Sequence, residues 1–416
     1  MNPQSLFFAR SFGARGDGLA KDTAALQAAI DAAHAAGGGQ VVLDAGTFLT
    51  GAIRLKSGVD LHIDRTATLL ASPDIADFPD WADAKHVVTD NLPRGRSACV
   101  IFAEESERIA ITGDGTIDAN GSHHVRETGA SDGHGWLYER ILPPNKSLPR
   151  VVFFTGCRDV VIRDVTMTHQ PAGWSYWIHD CDRVQIRGLK VLADVHYPNN
   201  DGIHINCSRD VTVSDCIIET GDDSIIVRAN SRSLAENKTC ERIVVTNCTL
   251  RSYANCIRIG WCREGVIRDC TFSNIVMHES AKGVNISFVP KDWNPTGDWG
   301  REKTRIENIS FSNIVMDRMH DVPIYVRVFE AEGFGYIRDV RFSNVTCRAY
   351  LPPILHGLKE CPLEDFAFSD CRFIRDNSAI PPWKAKQTQE AADDCGQNPF
   401  FHCRNFTFNG FSIDET

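Results

Sequence analysis

The chain has 416 residues and a formal net charge of −10 at pH 7. This acidic balance, without a dense block of Lys and Arg, argues against nucleic acid as a partner. No apolar run approaches the ~20 residues that a membrane span needs, and the N-terminal residues lack the basic start and long apolar core of a signal peptide. We therefore expect a cytoplasmic protein with no membrane partner, as a monomer or a weak homo-oligomer.

The first predicted element is a helix close to the N-terminus. Asp22 is a suitable N-cap for the Ala-rich run that follows it and ends before the glycines at 37–39. Leu26, Ile30 and Ala33 fall on one face of this helix. The strand repeat that comes next predicts a solenoid, whose first coil would expose a pairing edge. We expect the apolar face of the helix to cover that edge.

A short strand-like phrase then recurs about every 20-odd residues. Each copy has apolar residues two apart, a polar turn pair and a small apolar residue, and the copies lie at 158–165, 182–189, 209–216, 241–248, 265–270, 307–314, 338–345 and 364–371. Period-2 alternation predicts strands, and fixed recurrence predicts a solenoid. Asn, Asp and Gly at the ends of the copies suit its corners. Because no helical pattern separates the copies, we predict an all-β fold, a right-handed parallel β-helix.

A solenoid grows by adding coils, so this length does not require two or three globular domains. We predict one domain over 1–416, with an N-terminal cap of about 1–40 and a loop-rich tail of about 376–416. One strand-like phrase, at 405–408, returns within that tail.

The chain has 15 cysteines, and four of them are predicted to be reduced core residues. Cys216, Cys248, Cys270 and Cys371 end their strand phrases at a position that aliphatic residues fill in other copies, so we expect them in the core. No close pair of CxxC units suggests zinc, and an odd count fits a reducing compartment.

Three acidic residues are the strongest functional signal. Asp201 precedes Asp222 and Asp223 by about one coil, 21 residues from 201 to 222, and stacked strands lie ~4.8 Å apart. The three carboxylates should therefore lie side by side, and crowding should raise the pKa of at least one of them. Glycoside hydrolysis uses a protonated carboxyl group beside ionised carboxylates. Asp-Gly and Gly-Asp-Asp are also ordinary turn sequences, but turns do not require acids to stack.

With the strand repeat, these motifs resemble the polygalacturonase family of inverting glycoside hydrolases. The glycine-rich segments at 12–18, 45–51 and 113–118 are shared widely by pectin-degrading β-helices and indicate the fold. The combination of Asn199-x-Asp201 with Gly-Asp-Asp at 221–223 is more specific.

The resemblance implies a role for each acid. Asp222 is similar to the general acid that protonates the glycosidic oxygen, and Asp201 and Asp223 are similar to the carboxylates that position and deprotonate the attacking water. It also implies inversion without a covalent intermediate, and neither a metal nor another cofactor.

Two further motifs of that family are altered here. Where the family carries Gly-His-Gly, the chain reads Tyr253-Ala254-Asn255, and where it carries Arg-Ile-Lys, the chain reads Asn285-Ile286-Ser287. In the family, that Arg and Lys contact the substrate, including its carboxylate. An Arg fork binds a carboxylate bidentately, which neither Asn nor Ser can do. We therefore expect poor cleavage of unmodified polygalacturonate.

Other side chains are candidates for binding the substrate. Arg228, Arg258 and Lys282 could replace the lost cations, although each has an ordinary polar surface role as its alternative. His204 could line the groove, and the rings at 174–177 could stack on a sugar or simply pack in the core. The predicted substrate-binding residues are Asn199, His204, Arg228, Asn255, Arg258, Lys282, Asn285 and Trp174.

Three functions are compatible with these residues. The leading hypothesis is an exo-acting glycosidase that trims an oligosaccharide or glycoside, because intact polysaccharides do not enter cells. Insertions at 129–136 and 290–295 would close one end of its groove. The second is a polysaccharide lyase or epimerase, which needs a base and commonly calcium, but the Gly-Asp-Asp pattern fits hydrolases better. The third is a binding solenoid without activity, against which the three retained acids argue.

Overall fold

The structure is a computed structural model that describes residues 5–85, 97–129, 135–140, 150–288, 302–379 and 398–415. Within these ranges the chain forms a right-handed parallel β-helix, which confirms the fold predicted from the strand repeat. None of the helices described there is long and apolar enough to cross a membrane.

The larger sheet follows two sides of each coil. Among the described residues it contains 21 strands: Leu6–Phe8, Asp17–Lys21, Gly39–Leu43, Gly46–Thr50, Val59–Ile63, Ala67–Ala71, Glu107–Thr112, Thr116–Asp118, Arg158–Arg163, Thr166–Thr168, Asp182–Arg187, Lys190–Leu192, Arg209–Ser214, Ile217–Thr220, Cys240–Ser252, Val266–His278, Thr304–Met319, Phe334–Ala349, Leu363–Arg375, Cys403–Arg404 and Thr407–Glu415. Two successive short strands of one coil pair with a single long strand of the next, as Cys240–Ser252 illustrates.

The smaller sheet carries the candidate site. In the described ranges it contains 11 parallel strands: Ile53–Arg54, Ile101–Glu104, Arg150–Thr155, Trp174–His179, Ile203–Asn206, Ile225–Arg228, Asn255–Ile259, Lys282–Phe288, Ile324–Val328, Ile354–His356 and Phe400–Phe401. An antiparallel hairpin, Val125–Glu127 with Tyr138–Arg140, lies outside both sheets. The described 3-10 helices are Ala9–Phe12, Ile75–Asp77, Gly121–His124 and Asn377–Ala379.

The N-terminal helix, Thr23–Ala35, buries Leu26, Ala29, Ile30 and Ala33 as its apolar spacing predicts. This face packs against the first strands, so the helix covers the end of the solenoid. Asp22 occupies the N-cap position as predicted, but its side chain makes no hydrogen bond to its own helix. It instead accepts hydrogen bonds from the backbone amides of residues 15 and 16, which leaves it unavailable as a cap.

Asparagine side chains stack along one corner of the later coils. Asn247, Asn274, Asn313 and Asn344 all have left-handed φ values, from 51° to 55°. Each donates its side-chain amide to the residue one coil earlier, as in Asn313 to Asn274 at 3.0 Å and Asn344 to Asn313 at 2.9 Å. Asn tolerates this backbone better than most residues, so the same side chain makes the turn and links the coils.

Aromatic rings stack inside the same coils. The ring centroids of Phe272, Phe311, Phe342, Phe368 and Phe408 follow one another at separations of 4.7–5.4 Å. The interior is therefore filled by ladders of like residues, each one coil from the next.

The cysteines predicted as core residues are buried and form no disulfide. Cys248 is the strand partner of Ile275, and Cys371 that of Val345, as expected for a shared position. Cys270 does not share that position, however.

Cys270 instead pairs with Ile243 and Ile309. Each coil has two left-handed corners five residues apart, here Asp269 and Asn274. The phrase at 265–270 ends at the first corner rather than the second, which is why the predicted alignment of Cys270 was wrong.

The C-terminal tail is more regular than predicted. Thr407–Glu415 is a nine-residue strand that pairs with Leu363–Arg375 and adds another coil. Residues 380–397 lie outside the described part of the chain, as do the insertion predicted at 290–295 and most of the one at 129–136.

Candidate active site

The three acids converge as the coil spacing predicts. Ile203 and Ile225 are register partners on neighbouring strands of the smaller sheet, and Asp201 and Asp223 each lie two residues before one of them. Carboxylate oxygens of Asp201, Asp222 and Asp223 lie within 4.8 Å of one another. The turns that precede two adjacent strands thus bring the acids to one place.

Glycine allows these two turns to lie close to their neighbours. A Cβ atom at Gly202 would lie 2.3 Å from the carbonyl oxygen of Ser224, and one at Gly221 would lie 2.3 Å from that of Tyr197. Real side chains do not tolerate such contacts, so both glycines of the acidic motifs are needed for coil packing.

Asn200 fixes the acidic turn, a role that sequence analysis missed. Its Oδ1 accepts hydrogen bonds from the backbone amides of Gly221 at 2.7 Å and Asp222 at 3.2 Å. Its own amide donates to the carbonyl of Asp194 at 2.6 Å. A fully buried side chain thereby links the turn of one coil to the preceding coil.

Asp201 is held by His204. Its Oδ2 lies 3.0 Å from His204 Nε2, and both side chains are buried. The imidazole stacks on Trp174, with ring centroids 4.3 Å apart. Of the aromatic residues near 174–177, Trp174 therefore borders the site, whereas Tyr176 packs in the core.

Asp222 is the most exposed of the three acids. Asn199 donates its side-chain amide to Asp222 Oδ2 at 3.1 Å. The hydroxyls of Thr220 and Ser252 donate to the Asp222 main-chain carbonyl at 2.6 and 2.7 Å. The backbone at Asp222 is thus fixed while its carboxyl group faces the cavity.

Asp223 ends a chain of two side-chain amides. Asn255 donates Nδ2 to Asp223 Oδ1, and Asn285 donates Nδ2 to Asn255 Oδ1 at 2.7 Å. Two predicted binding residues are therefore linked to a catalytic candidate through consecutive coils, although neither lines the cavity itself.

Arg258 lies beside one of the acids. Its Nε lies 3.9 Å from Asp223 Oδ2, and its guanidinium lies 4.2 Å from the ring centroid of Trp261. Burial lowers the pKa of Arg258 from its ordinary value, and the Asp223 carboxylate opposes that shift. Sequence analysis missed Trp261. The available signal was its position, because it follows the strand Asn255–Ile259 and one glycine.

The two other predicted cations are engaged by acids that sequence analysis also missed. Arg228 donates Nε to Glu264 Oε1 at 2.7 Å. Lys282 Nζ lies 2.8 Å from Asp321 Oδ2. Burial alone would lower the pKa of Lys282, but the Asp321 carboxylate more than offsets this and raises it. Both cations therefore already have buried ionic partners.

The acids line a cavity of about 180 Å³. Its lining residues are Trp174, Asn199, Asp201, His204, Asp222, Asp223, Ile226, Arg228, Arg258 and Trp261. Five of the eight predicted binding residues line this cavity, and a sixth, Asn255, contacts Asp223. Lys282 and Asn285 are not among the lining residues. Trp136 contacts the acidic turn, since its Nε1 donates to the Gly221 carbonyl at 2.7 Å.

The site offers oxygen ligands as well as acid chemistry. The separation of the three carboxylates would let a hard divalent cation bridge them, since Ca²⁺ and Mg²⁺ prefer oxygen ligands. The buried carboxylates of Asp201 and Asp223 can bind a water molecule, and the more exposed Asp222 can donate a proton. Glycoside hydrolysis needs both functions.

Comparison with known proteins identifies the family of the chain. Residues 40–242 and 230–348 match the profile of the family described as Glycosyl hydrolases family 28. The chain is 29% identical over 293 residues to a probable polygalacturonase of Vitis vinifera, across 66% of this chain and 55% of that one. It is 28% identical over 250 residues to the exo-poly-alpha-D-galacturonosidase of Dickeya chrysanthemi, across 51% and 40%. The matches thus span only about half the length of these relatives.

The fold has close solved counterparts. The hyperthermoactive exopolygalacturonase of Thermotoga maritima superposes with a TM-score of 0.72 at 22% identity, over 91% of this chain and 88% of that one. The family 28 exopolygalacturonase of Yersinia enterocolitica gives 0.68 at 19% identity, over 97% and 78%. At these identities the likeness concerns the fold.

Proposed function

This chain belongs to glycosyl hydrolase family 28, and on that premise we propose that it is an inverting, exo-acting glycosidase of an oligosaccharide or glycoside. The observation that carries the proposal is the convergence of Asp201, Asp222 and Asp223 within 4.8 Å at a cavity. A protein that only bound sugar would gain nothing from crowding three carboxylates.

Asp222 is the general acid in this proposal. It is less buried than the other two acids and faces the cavity, so its proton can reach a glycosidic oxygen. As the bond between the anomeric carbon and that oxygen breaks, the proton moves to the leaving oxygen. The sugar then passes through an oxocarbenium-like transition state.

Asp201 and Asp223 bind the attacking water. One of these carboxylates takes the water's proton as the new bond to the anomeric carbon forms. His204 contacts the first carboxylate and Asn255 donates to the second, so each has a hydrogen-bond partner that positions it. No covalent sugar–enzyme bond is formed, and the product is inverted.

We infer inversion from the combination of Asn199-x-Asp201 with Gly-Asp-Asp at 221–223, and not from the distance between the acids. Inverting enzymes commonly keep their two carboxyl groups about 6.5–9.5 Å apart, and retaining enzymes about 5–5.5 Å. The closest oxygens of this site lie within 4.8 Å, although oxygen separations are shorter than those between carboxyl centres. The stereochemistry of the product is therefore the decisive measurement.

Exo-action is supported by the size of the site and by a relative. The cavity of about 180 Å³ is smaller than the ~300–1,000 Å³ of typical ligand pockets, which suits the terminal sugar of a chain. The Dickeya chrysanthemi relative is named as an exo-acting enzyme.

The test is an incubation with aryl glycosides and pectin-derived oligosaccharides, followed by proton NMR of the released sugar. We expect cleavage from one chain end and an anomeric signal of inverted configuration at early times. A retained configuration would reject the mechanism, and an unsaturated product would indicate a lyase.

A further inference from the structure

Arg258 and Asp223 form a buried ion pair at the wall of the cavity. Arg258 Nε lies 3.9 Å from Asp223 Oδ2. Arg258 is 8% exposed and Asp223 is 6% exposed. Taking two opposite charges out of water is costly unless each compensates the other, so the placement of one residue depends on the other.

The guanidinium of Arg258 is held by protein groups. Nε has essentially no exposed surface and no hydrogen-bond acceptor among the described residues. Nη2 donates to the main-chain carbonyl of Ser287 at 3.5 Å, and the guanidinium stacks on Trp261, 4.2 Å from the ring centroid. The substrate cannot reach Nε, so the charge at this atom acts on the Asp223 carboxylate.

Asp223 is contacted at both of its carboxylate oxygens. Asn255 donates Nδ2 to Oδ1, and Arg258 faces Oδ2. Both partners lie on the strand Asn255–Ile259, three positions apart. One strand therefore carries an amide and a cation that together give the carboxylate a defined orientation, as a group that positions water requires.

We propose that Arg258 is a positioning residue for the reaction: it holds the Asp223 carboxylate in the orientation that binds the attacking water. The inference rests on the proposed glycosidase function and adds a residue to that same site. It differs from the expectation drawn from the sequence, in which Arg258 replaces a cation that contacts the substrate itself.

Two variants at this position separate charge from shape. Arg258→Gln should lower kcat on an aryl glycoside at least about tenfold, since misplacing a catalytic group is costly. Its KM should change less than about threefold, because no substrate contact is lost. Arg258→Lys keeps the charge and should retain more of the kcat. Equal losses of kcat in both variants, or a raised KM with unchanged kcat, would overturn the proposal.

Arg183→Gln is the matched control. Arg183 also faces an aspartate through its Nε, which donates to Asp159 Oδ1 at 2.6 Å, but this pair lies on the surface. The control variant should change neither kcat nor KM, and circular dichroism checks the fold of every variant.

A double variant shows whether Arg258 acts through Asp223. Adding Arg258→Gln to Asp223→Asn should change the residual kcat less than about twofold, because no carboxylate is left to position. A further fall of about tenfold would mean that Arg258 acts independently of Asp223, and the proposal would be wrong. This comparison does not require Arg258→Gln to fold alone.

The stereochemical test separates the two proposals. A retained product together with coupled effects of Arg258 and Asp223 would reject the inverting mechanism and keep the positioning role. An inverted product with independent effects would do the opposite.

Discussion

Asp201 and His204 form a buried pair, with Asp201 Oδ2 3.0 Å from His204 Nε2, and the imidazole stacks on Trp174. Asp201 lies in the turn before the strand Ile203–Asn206 and His204 lies on that strand, three positions later. We infer that His204 acts on the reaction by positioning the Asp201 carboxylate.

We predict that His204→Ala lowers kcat at least about tenfold with a smaller change in KM, since misplacing a catalytic group is costly. His204→Gln should retain more activity, because its amide can still donate to Asp201. His169→Gln is a matched control, as His169 also pairs with an aspartate, Asp118, at 3.0 Å but on the surface. Equal losses in both His204 variants would show that the hydrogen bond to Asp201 does not matter.

Asp222→Asn should remove nearly all activity while leaving the fold and substrate binding largely intact. General acid assistance contributes ~10²–10⁴-fold. An activated leaving group needs less protonation, so an aryl glycoside with a good leaving group should partly rescue this variant but neither Asp201→Asn nor Asp223→Asn. The comparison requires kcat for both substrate types in all three variants. Near-normal turnover of an unactivated glycoside by Asp222→Asn would exclude Asp222 as the acid.

We predict that the purified protein does not efficiently depolymerise unmodified polygalacturonate. Asn285 and Ser287 replace the cations that contact the substrate carboxylate in the family, and Arg228 and Lys282 are already paired with acids. The measurement is the release of reducing ends from polygalacturonate and from its carboxyl-reduced form. Robust release from the acidic polymer would contradict this prediction.

The fold and the position of the acids were predictable because a solenoid repeats. Each coil returns the chain to the same corner, so a spacing of about one coil in the sequence becomes a contact in space. That argument placed Asp201 beside Asp222 and Asp223 without knowledge of any loop. It failed for Cys270, because two similar corners in each coil give two possible alignments.

The partners of the cations were not predictable. Coils differ in length because of their loops, so the residue that faces a side chain one coil away has no fixed spacing. Arg228 meets Glu264 at a separation of 36 residues, whereas Asn199 meets Asp222 at 23. Packing therefore decides how each cation is paired: Arg228 with Glu264, Lys282 with Asp321, and Arg258 beside Asp223.

The buried cysteines should react slowly in the native protein. Burial raises the pKa of Cys240 and of Cys256 to about 12, and the thiolate is the reactive form. At pH 8 we expect a thiol reagent to label these residues only after unfolding in guanidinium, with peptide mapping to assign the sites. Rapid native labelling of either residue would show that the solenoid opens there.

The last prediction concerns the asparagine corner. Asn313 has a φ of 54°, donates to Asn274 at 3.0 Å and accepts from Asn344 at 2.9 Å. Asn313→Ala removes both hydrogen bonds and places an unsuitable residue in the left-handed region, which costs about 1–2 kcal/mol of strain. Asn313→Gly removes the same hydrogen bonds without that strain.

Asn313→Ala should therefore lower the free energy of unfolding by more than Asn313→Gly does, by about 1 kcal/mol. Urea unfolding followed by circular dichroism gives both values. Thr346→Ala, an exposed strand position nearby, is the control and should change stability by less than about 0.5 kcal/mol. Equal losses for Ala and Gly would assign the whole effect to the side-chain ladder, and no loss in either would mean that the ladder does not stabilise the coils.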